Sequence, residues 1–155
     1  MFRGENKTTN TEVAVKISTS DEGECNGREL FLLSHVQGHG HVVQLHDGSC
    51  SPYFLVLVME AGRISLHGYM HKTGGGHVPP CGGAVPPLLP GGIVPISFAV
   101  TVGIQVASAL EHTHSLHIIH RDLYAKNIVF RSDGSVMVID FGMSIHVADE
   151  LDCNL

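Results

Sequence analysis

Asp122, Asn127 and Asp140 are three side-chain oxygen donors whose spacing suits one kind of chemistry. Asn127 lies five residues after Asp122, and Asp140 lies 18 after it. Two apolar runs, 127–130 and 136–139, flank Ser132-Asp133-Gly134-Ser135, which is a strong hairpin signal. A hairpin brings its ends together, so the spacing predicts that Asp122, Asn127 and Asp140 converge on one spot. Phosphoryl transfer needs a carboxylate near the attacking hydroxyl and hard oxygen ligands for magnesium. A metal and nucleotide corner at the open end of the hairpin would meet that need.

The elements that must position these residues are legible upstream. Val13-Ala14-Val15-Lys16-Ile17 is a β-branched run that pairs, as a hairpin, with a strand at Met1 to Gly4. Ser20-Asp21-Glu22 offers a helix cap, but Gly23 and Gly27 delay the helix, which runs from Arg28 to Val36 and ends at Gly38. Val42 to His46 and Tyr53 to Met59 read as two strands around an Asp47-Gly48 turn. From Thr73 to Gly92 glycine and proline crowd the chain, which predicts a loop or linker without a packing pattern of its own. Ile96 to Ser115 then reads as a long helix, with Ile104, Ala107, Leu110 and His114 at helical spacing. Its apolar run from Ile93 to Leu110 contains Pro95 and Gln105 and leads straight into Glu111 and His112, so it reads as a core helix and not a membrane span.

His120-Arg121-Asp122-Leu123-Tyr124-Ala125-Lys126-Asn127 followed by Asp140-Phe141-Gly142 resembles the protein kinase family, matching its catalytic loop and its Asp-Phe-Gly motif at the family spacing. The resemblance implies an α+β, two-lobe fold, truncated to a small antiparallel-sheet lobe and part of the helical lobe. It implies ATP and Mg2+ as cofactors and a protein substrate. Asp122 would orient the substrate hydroxyl or accept its proton, with Arg121 beside it in the catalytic set; Asn127 and Asp140 would hold magnesium. Lys16 would reach the nucleotide phosphates, held by an ion pair from Glu29, the best placed of Glu22, Glu24 and Glu29. Ala14 and Val129 would enclose adenine, with Glu60 contributing hinge backbone groups. Val58 and Met59 both remain open as the gatekeeper. Leu33, Leu45, His120 and Phe141 fall where the family stacks a regulatory column of side chains.

The same resemblance divides the chain into 1–60 (small lobe without a Gly-rich loop), 61–72 (hinge and following helix), 73–95 (Gly/Pro insert) and 96–155 (start of the large lobe). The match is expected to cover about the middle half of a kinase domain. Ala125-Lys126-Asn127 and Asp140 to Ser144 are similar to tyrosine kinases, so tyrosine is favoured over serine or threonine as the acceptor, although Tyr124 fits neither pattern fully. The alternative is a catalytically inactive, pseudokinase-like module that binds nucleotide or a protein partner, or a truncated product. For the isolated chain, weak magnesium-dependent ATP binding and phosphotransfer below detection are expected.

Composition is consistent with this. Of 155 residues, 43% are hydrophobic and 15% charged, which fits a globular chain. A net charge of −6 argues against nucleic acid as a partner. Cys25, Cys50, Cys81 and Cys153 form no CxxC pair, so a reducing compartment is expected, cytoplasmic or the cytoplasmic part of a receptor. Among twelve histidines, His35, His39, His41 and His46 cluster in sequence, but no zinc-binding spacing appears, and they read as solvated or hydrogen-bonded.

Overall fold

The computed structural model describes residues 1–19, 27–71, 85–90 and 92–147. A four-stranded antiparallel sheet comes first, in the order β1-β2-β4-β3. Its strands are β1 (Phe2–Asn6), β2 (Thr11–Thr19), β3 (Leu45–Cys50) and β4 (Phe54–Glu60). Period-two alternation explains β4: Leu55, Leu57 and Met59 are buried while the residues between them are not. The β1–β2 hairpin is present as expected, pairing Phe2 with Val15 and Gly4 with Val13. The proposed cap at Ser20 to Glu22 lies outside the described residues.

Helix α1 (Arg28–His35) packs Leu32 and Leu33 into the core and carries Glu29 in its first turn. Gly38, at φ 93°, follows in the left-handed conformation that glycine adopts without strain. The turn expected at Asp47-Gly48 is not there, because both residues lie within β3 opposite Val58 and Leu57. A Cβ on Gly48 would stand 2.4 Å from Leu30 Cδ1, so this glycine marks close approach of α1 to the sheet. The real turn is at 51–53, where Ser51 Oγ accepts the N–H groups of Tyr53 and Phe54 at 3.3 and 3.2 Å. Val42 and Val43 also leave the expected strand. The Val43 N–H donates to the Val138 carbonyl at 3.0 Å, and the Val138 N–H donates to His41, which docks this loop on the second lobe.

That lobe contains α2 (Leu66–His71), α3 (Ile96–Ser115), β5 (Ile118–Ile119), β6 (Ile128–Phe130), β7 (Val136–Val138) and β8 (Ile145–His146). The β6–β7 hairpin forms as predicted, pairing Val129 with Met137. Phe98, Tyr69 and Phe130 gather their rings at centroid separations of 5.6 to 5.8 Å. Val85 is also fully buried, and the Tyr69 hydroxyl donates to the Pro86 carbonyl at 2.9 Å. The end of the Gly/Pro segment therefore packs on the core, where composition had suggested no packing; residues 72–84 lie outside the described residues.

Helix α3 has the expected ends but a different inward face. Val102, Ala109 and Thr113 are buried, while Ile104 is 65% exposed. Gln105 fixes this rotation by accepting the Val136 N–H through Oε1 at 2.8 Å. Among the described residues no helix is long and apolar enough to cross a membrane.

The 38–43 loop meets α3 through histidines. The rings of His39 and His112 stack at 4.9 Å, and His39 Nε2 lies 3.2 Å from Ser108 Oγ. His35 and His41 bond the carbonyls of Phe31 and Val136. Among the described residues no group of three His, Cys, Asp or Glu side chains is placed to hold a metal. Burial lowers the His39 pKa, reinforced by the neighbouring His112 and His41 and opposed by Glu111. Its contribution to stability is therefore intact above the ordinary histidine value and is lost as pH falls toward the folded value. Urea midpoints between pH 7.5 and 5.5 should fall, and His39→Gln should flatten that slope. An unchanged slope in the variant would assign the effect elsewhere.

Candidate nucleotide and catalytic site

A cleft of about 250 Å3 lies between the sheet and the second lobe. β2 and β4 form its roof, because antiparallel pairing sets Ala14 beside Met59. β6 and β7 form its floor through Val129 and Met137, and Ile139 and Asp140 follow at its inner end. Of the predicted residues, Ala14, Lys16, Glu29, Met59, Glu60, Val129 and Asp140 all line it. Of the two gatekeeper candidates, Met59 lines the cleft and Val58 does not.

The segment after β4 is held against β6 by main-chain bonds. The Arg63 N–H donates to the Phe130 carbonyl, and the Phe130 N–H donates to the Ile64 carbonyl, at 2.8 and 2.9 Å. Gly62 is pressed so close that a Cβ there would lie 2.1 Å from Val129 Cγ1 and 2.8 Å from Met137 Cε. The β-branched Val129 has little rotamer freedom to give way. Gly62→Ala should push Val129 into the cleft, costing about 1–3 kcal/mol of stability and weakening adenosine binding about tenfold. Full retention of both in the variant would show that the floor yields at no cost.

At the inner end Lys16 Nζ donates to Glu29 Oε1 and to Asp140 Oδ1, each at 2.7 Å. The three side chains come from β2, α1 and the residue pair after β7, so folding is what brings them together. Burial works against the Lys16 charge, but the hydrogen bonds it donates to Asp140 and Glu29 outweigh it and raise its pKa. Burial would likewise raise the Asp140 pKa, and the Lys16 contact outweighs it, leaving that carboxyl below its usual range. Burial wins at Glu29, whose pKa is raised despite the Lys16 bond. An ammonium shared by two carboxylates is a preorganised charged cluster at the inner end of a largely apolar slot.

Beside this cleft stands the loop 120–127. Asn127 is 5% exposed, and its Nδ2 donates to both the main-chain oxygen and Oδ2 of Asp122, each at 2.9 Å. The Ile139 N–H donates to the Asn127 carbonyl, tying this loop to the residue before Asp140. Asp122 and Asn127 are thus bonded directly, and the Ile139 bond sets the residue before Asp140 against Asn127. Arg121 is exposed on the same loop, outside the cleft lining. Arg121 and Asp140 both adopt positive φ, at 67° and 66°, a conformation unfavourable for side-chain-bearing residues and held here by the surrounding bonds.

His120 and Phe141 brace that geometry from below. Their rings meet edge to face at 4.9 Å, and both are buried with Leu33. The Asp122 N–H donates to His120 Nδ1 at 3.2 Å, which leaves the ring proton on Nε2 to donate to the Ile139 carbonyl at 3.0 Å. Leu45, the fourth member of the expected column, is partly buried against the same core.

Asp140 and Asn127 offer a carboxylate and an amide oxygen, the hard ligands magnesium takes when phosphates complete its shell. Asn127 Nδ2 is engaged by Asp122, so the amide oxygen is the atom of this side chain that would serve as a ligand. The residues fit ATP with magnesium.

A family model described as protein tyrosine and serine/threonine kinase matches residues 1–154. The chain belongs to the protein kinase family. CBL-interacting protein kinase 22 of Oryza sativa subsp. japonica is 33% identical over 119 residues, 76% of this kinase chain and 23% of the relative. Cyclin-dependent kinase 14 of Xenopus laevis is 29% identical over 148 residues, 93% of this chain and 30% of the relative. The mouse cyclin-dependent kinase 14 gives 28% over 148 residues. The chain thus spans less than a third of the length of these relatives. Kinases as a family use ATP and Mg2+ on protein substrates, which agrees with the chemistry of the cleft.

Sequence reasoning overlooked other residues at this site. Arg3 Nη2 donates to the Gly62 carbonyl at 2.7 Å, and Glu12 lies within ion-pair distance of both Arg3 and Arg63. Met1 and Phe2 also line the cleft. Strand pairing places Arg3 opposite Ala14, but only the folded hinge reveals what its guanidinium touches.

Proposed function

We propose that this chain binds ATP with magnesium and supplies the nucleotide and catalytic residues for phosphoryl transfer to a protein hydroxyl. The observation that carries this reading is Lys16 bridging Glu29 and Asp140 at 2.7 Å at the inner end of the cleft. Ala14, Val129 and Met59 enclose the base, and main-chain groups from Glu60 onward meet its polar edge. Lys16 binds the phosphates, held in place by Glu29. Asn127 and Asp140 hold the magnesium ion, which when bound neutralises charge on the phosphates. Asp122 orients the acceptor hydroxyl and receives its proton, with its own position set by Asn127 and His120. Arg121 supports this loop.

Transfer is proposed for the whole protein, and nucleotide binding for the chain itself. The tyrosine preference rests on Ala125-Lys126-Asn127 and on residues 140–144. The relatives, a cyclin-dependent kinase and a CBL-interacting protein kinase, give it no support. The acceptor is therefore put no more finely than a protein hydroxyl. The test is a titration of the chain with ATP, with and without magnesium, and labelled-phosphate transfer by the whole protein to serine, threonine and tyrosine peptide pools. Asp122→Asn should retain binding and reduce transfer at least about a hundredfold. Binding without transfer in the unmutated whole protein would favour the pseudokinase-like alternative, and transfer undiminished by Asp122→Asn would remove Asp122 from its role.

A further inference from the structure

Arg131 stands at the junction of three stretches of chain, immediately after β6. A guanidinium has five N–H donors in a fixed plane, and all five find acceptors here. Nε and Nη2 donate to the two carboxylate oxygens of Glu60, at 2.5 and 2.9 Å. Nη1 donates to the Gly40 carbonyl at 2.6 Å and reaches that of Val136 at 3.4 Å. The second Nη2 proton faces the Val42 carbonyl, also at 3.4 Å. The Arg131 side chain is 17% exposed and that of Glu60 24%, so the pair is largely withdrawn from solvent screening.

One of the stretches joined this way leads to the base end of the cleft and two lead to its inner end. Glu60 directly follows Met59 at the base end. Gly40 and Val42 belong to the loop that continues α1, the helix carrying Glu29. Val136 opens β7, which leads to Asp140. We propose that Arg131 is a positioning residue, setting the base end of the cleft at a fixed distance from the Lys16–Glu29–Asp140 end. The inference rests on the nucleotide reading above. A point-charge ammonium cannot reproduce the effect, because the fork must meet a carboxylate and separate carbonyls at once. A simple stabilising ion pair would weaken every part of the ligand alike. A positioning role weakens most the ligand that must span both ends.

The test uses the whole chain with three probes: adenosine, magnesium tripolyphosphate and magnesium ATP. Arg131→Lys should bind each short probe within about twofold of the unmutated chain while losing about tenfold for ATP, because the two ends no longer fit one ligand. Glu60→Gln, which keeps shape and the main chain but removes the charge, should show the same pattern at about threefold and serves if the lysine variant fails to fold. Unchanged ATP affinity in both variants overturns the proposal, and so does a uniform loss across all three probes. An unmutated chain that binds none of the probes overturns the nucleotide reading, and this proposal with it.

Discussion

Lys16→Met is expected to weaken magnesium ATP binding at least about tenfold and to destabilise the chain by about 1–3 kcal/mol. Methionine keeps most of the length and apolar stem of lysine, so the change isolates the ammonium. Without it, Glu29 Oε1 and Asp140 Oδ1, each 2.7 Å from the lost nitrogen, face one another with no cation between them. Glu29 has a side chain only 10% exposed, and it bears most of the cost, because burial already raises its pKa. Asp140 is 37% exposed and can recover hydration, which is why the estimate stays below the full cost of breaking a buried pair. Glu29→Gln in the methionine background should recover about half of the lost stability but none of the ATP affinity. Denaturant melts and ATP titrations of the unmutated chain and the two variants measure both quantities. Recovery of affinity in the double variant would mean that Lys16 acts only by neutralising Glu29.

The alkaline limb of stability has the same origin. Lys16 has a raised pKa, so its contribution is fully present below the ordinary lysine value and is lost as pH rises through the folded one. Asp140 contributes above the ordinary carboxylate range and is lost as pH falls through its depressed value. Glu29 opposes this on the acid side, because its raised pKa makes protonation favourable to the fold. The two carboxylates therefore offset one another in acid, and the lysine alone shapes the alkaline side of this cluster.

How much of this was legible in the sequence depended on whether a local pattern had one physical meaning. Ser132 to Ser135 between two apolar runs admits little but a tight turn, so the β6–β7 hairpin that carries Asn127 before it and Asp140 after it could be read directly. Lys16 and Glu29 could be paired only through the family resemblance, since their 13-residue separation carries no geometric rule. Asp47-Gly48 misled because glycine serves both turns and close packing, and Leu30 of α1 decides which. The rotation of α3 was ambiguous because both faces of the helix carry apolar residues. Gln105 settles it through one bond to Val136, a partner 31 residues away. Arg131 was invisible for a similar reason: four of its five acceptors are main-chain or side-chain oxygens from residues 40, 42 and 60, which are remote in sequence.

Phe141→Ala should have the largest effect on stability, a loss of about 3–5 kcal/mol. The ring is fully buried, lies in the main core with Leu33, and meets the His120 ring edge to face. Truncation leaves a cavity beside His120, whose ring bonds the 120–127 loop to the residue before Asp140. His120 accepts the Asp122 N–H and donates to the Ile139 carbonyl, so a ring free to tilt loosens both ends of the hairpin at once. Phe141→Leu refills most of the volume without the aromatic edge and should cost about 1 kcal/mol. The two variants separate packing from positioning when chemical denaturation is measured beside ATP affinity. If the leucine variant regains stability but still binds ATP several-fold more weakly, the ring orients His120 and through it Asp122 and Asp140. If affinity returns together with stability, Phe141 acts by volume alone, and the His120 contact is a consequence of packing and not a control on the site.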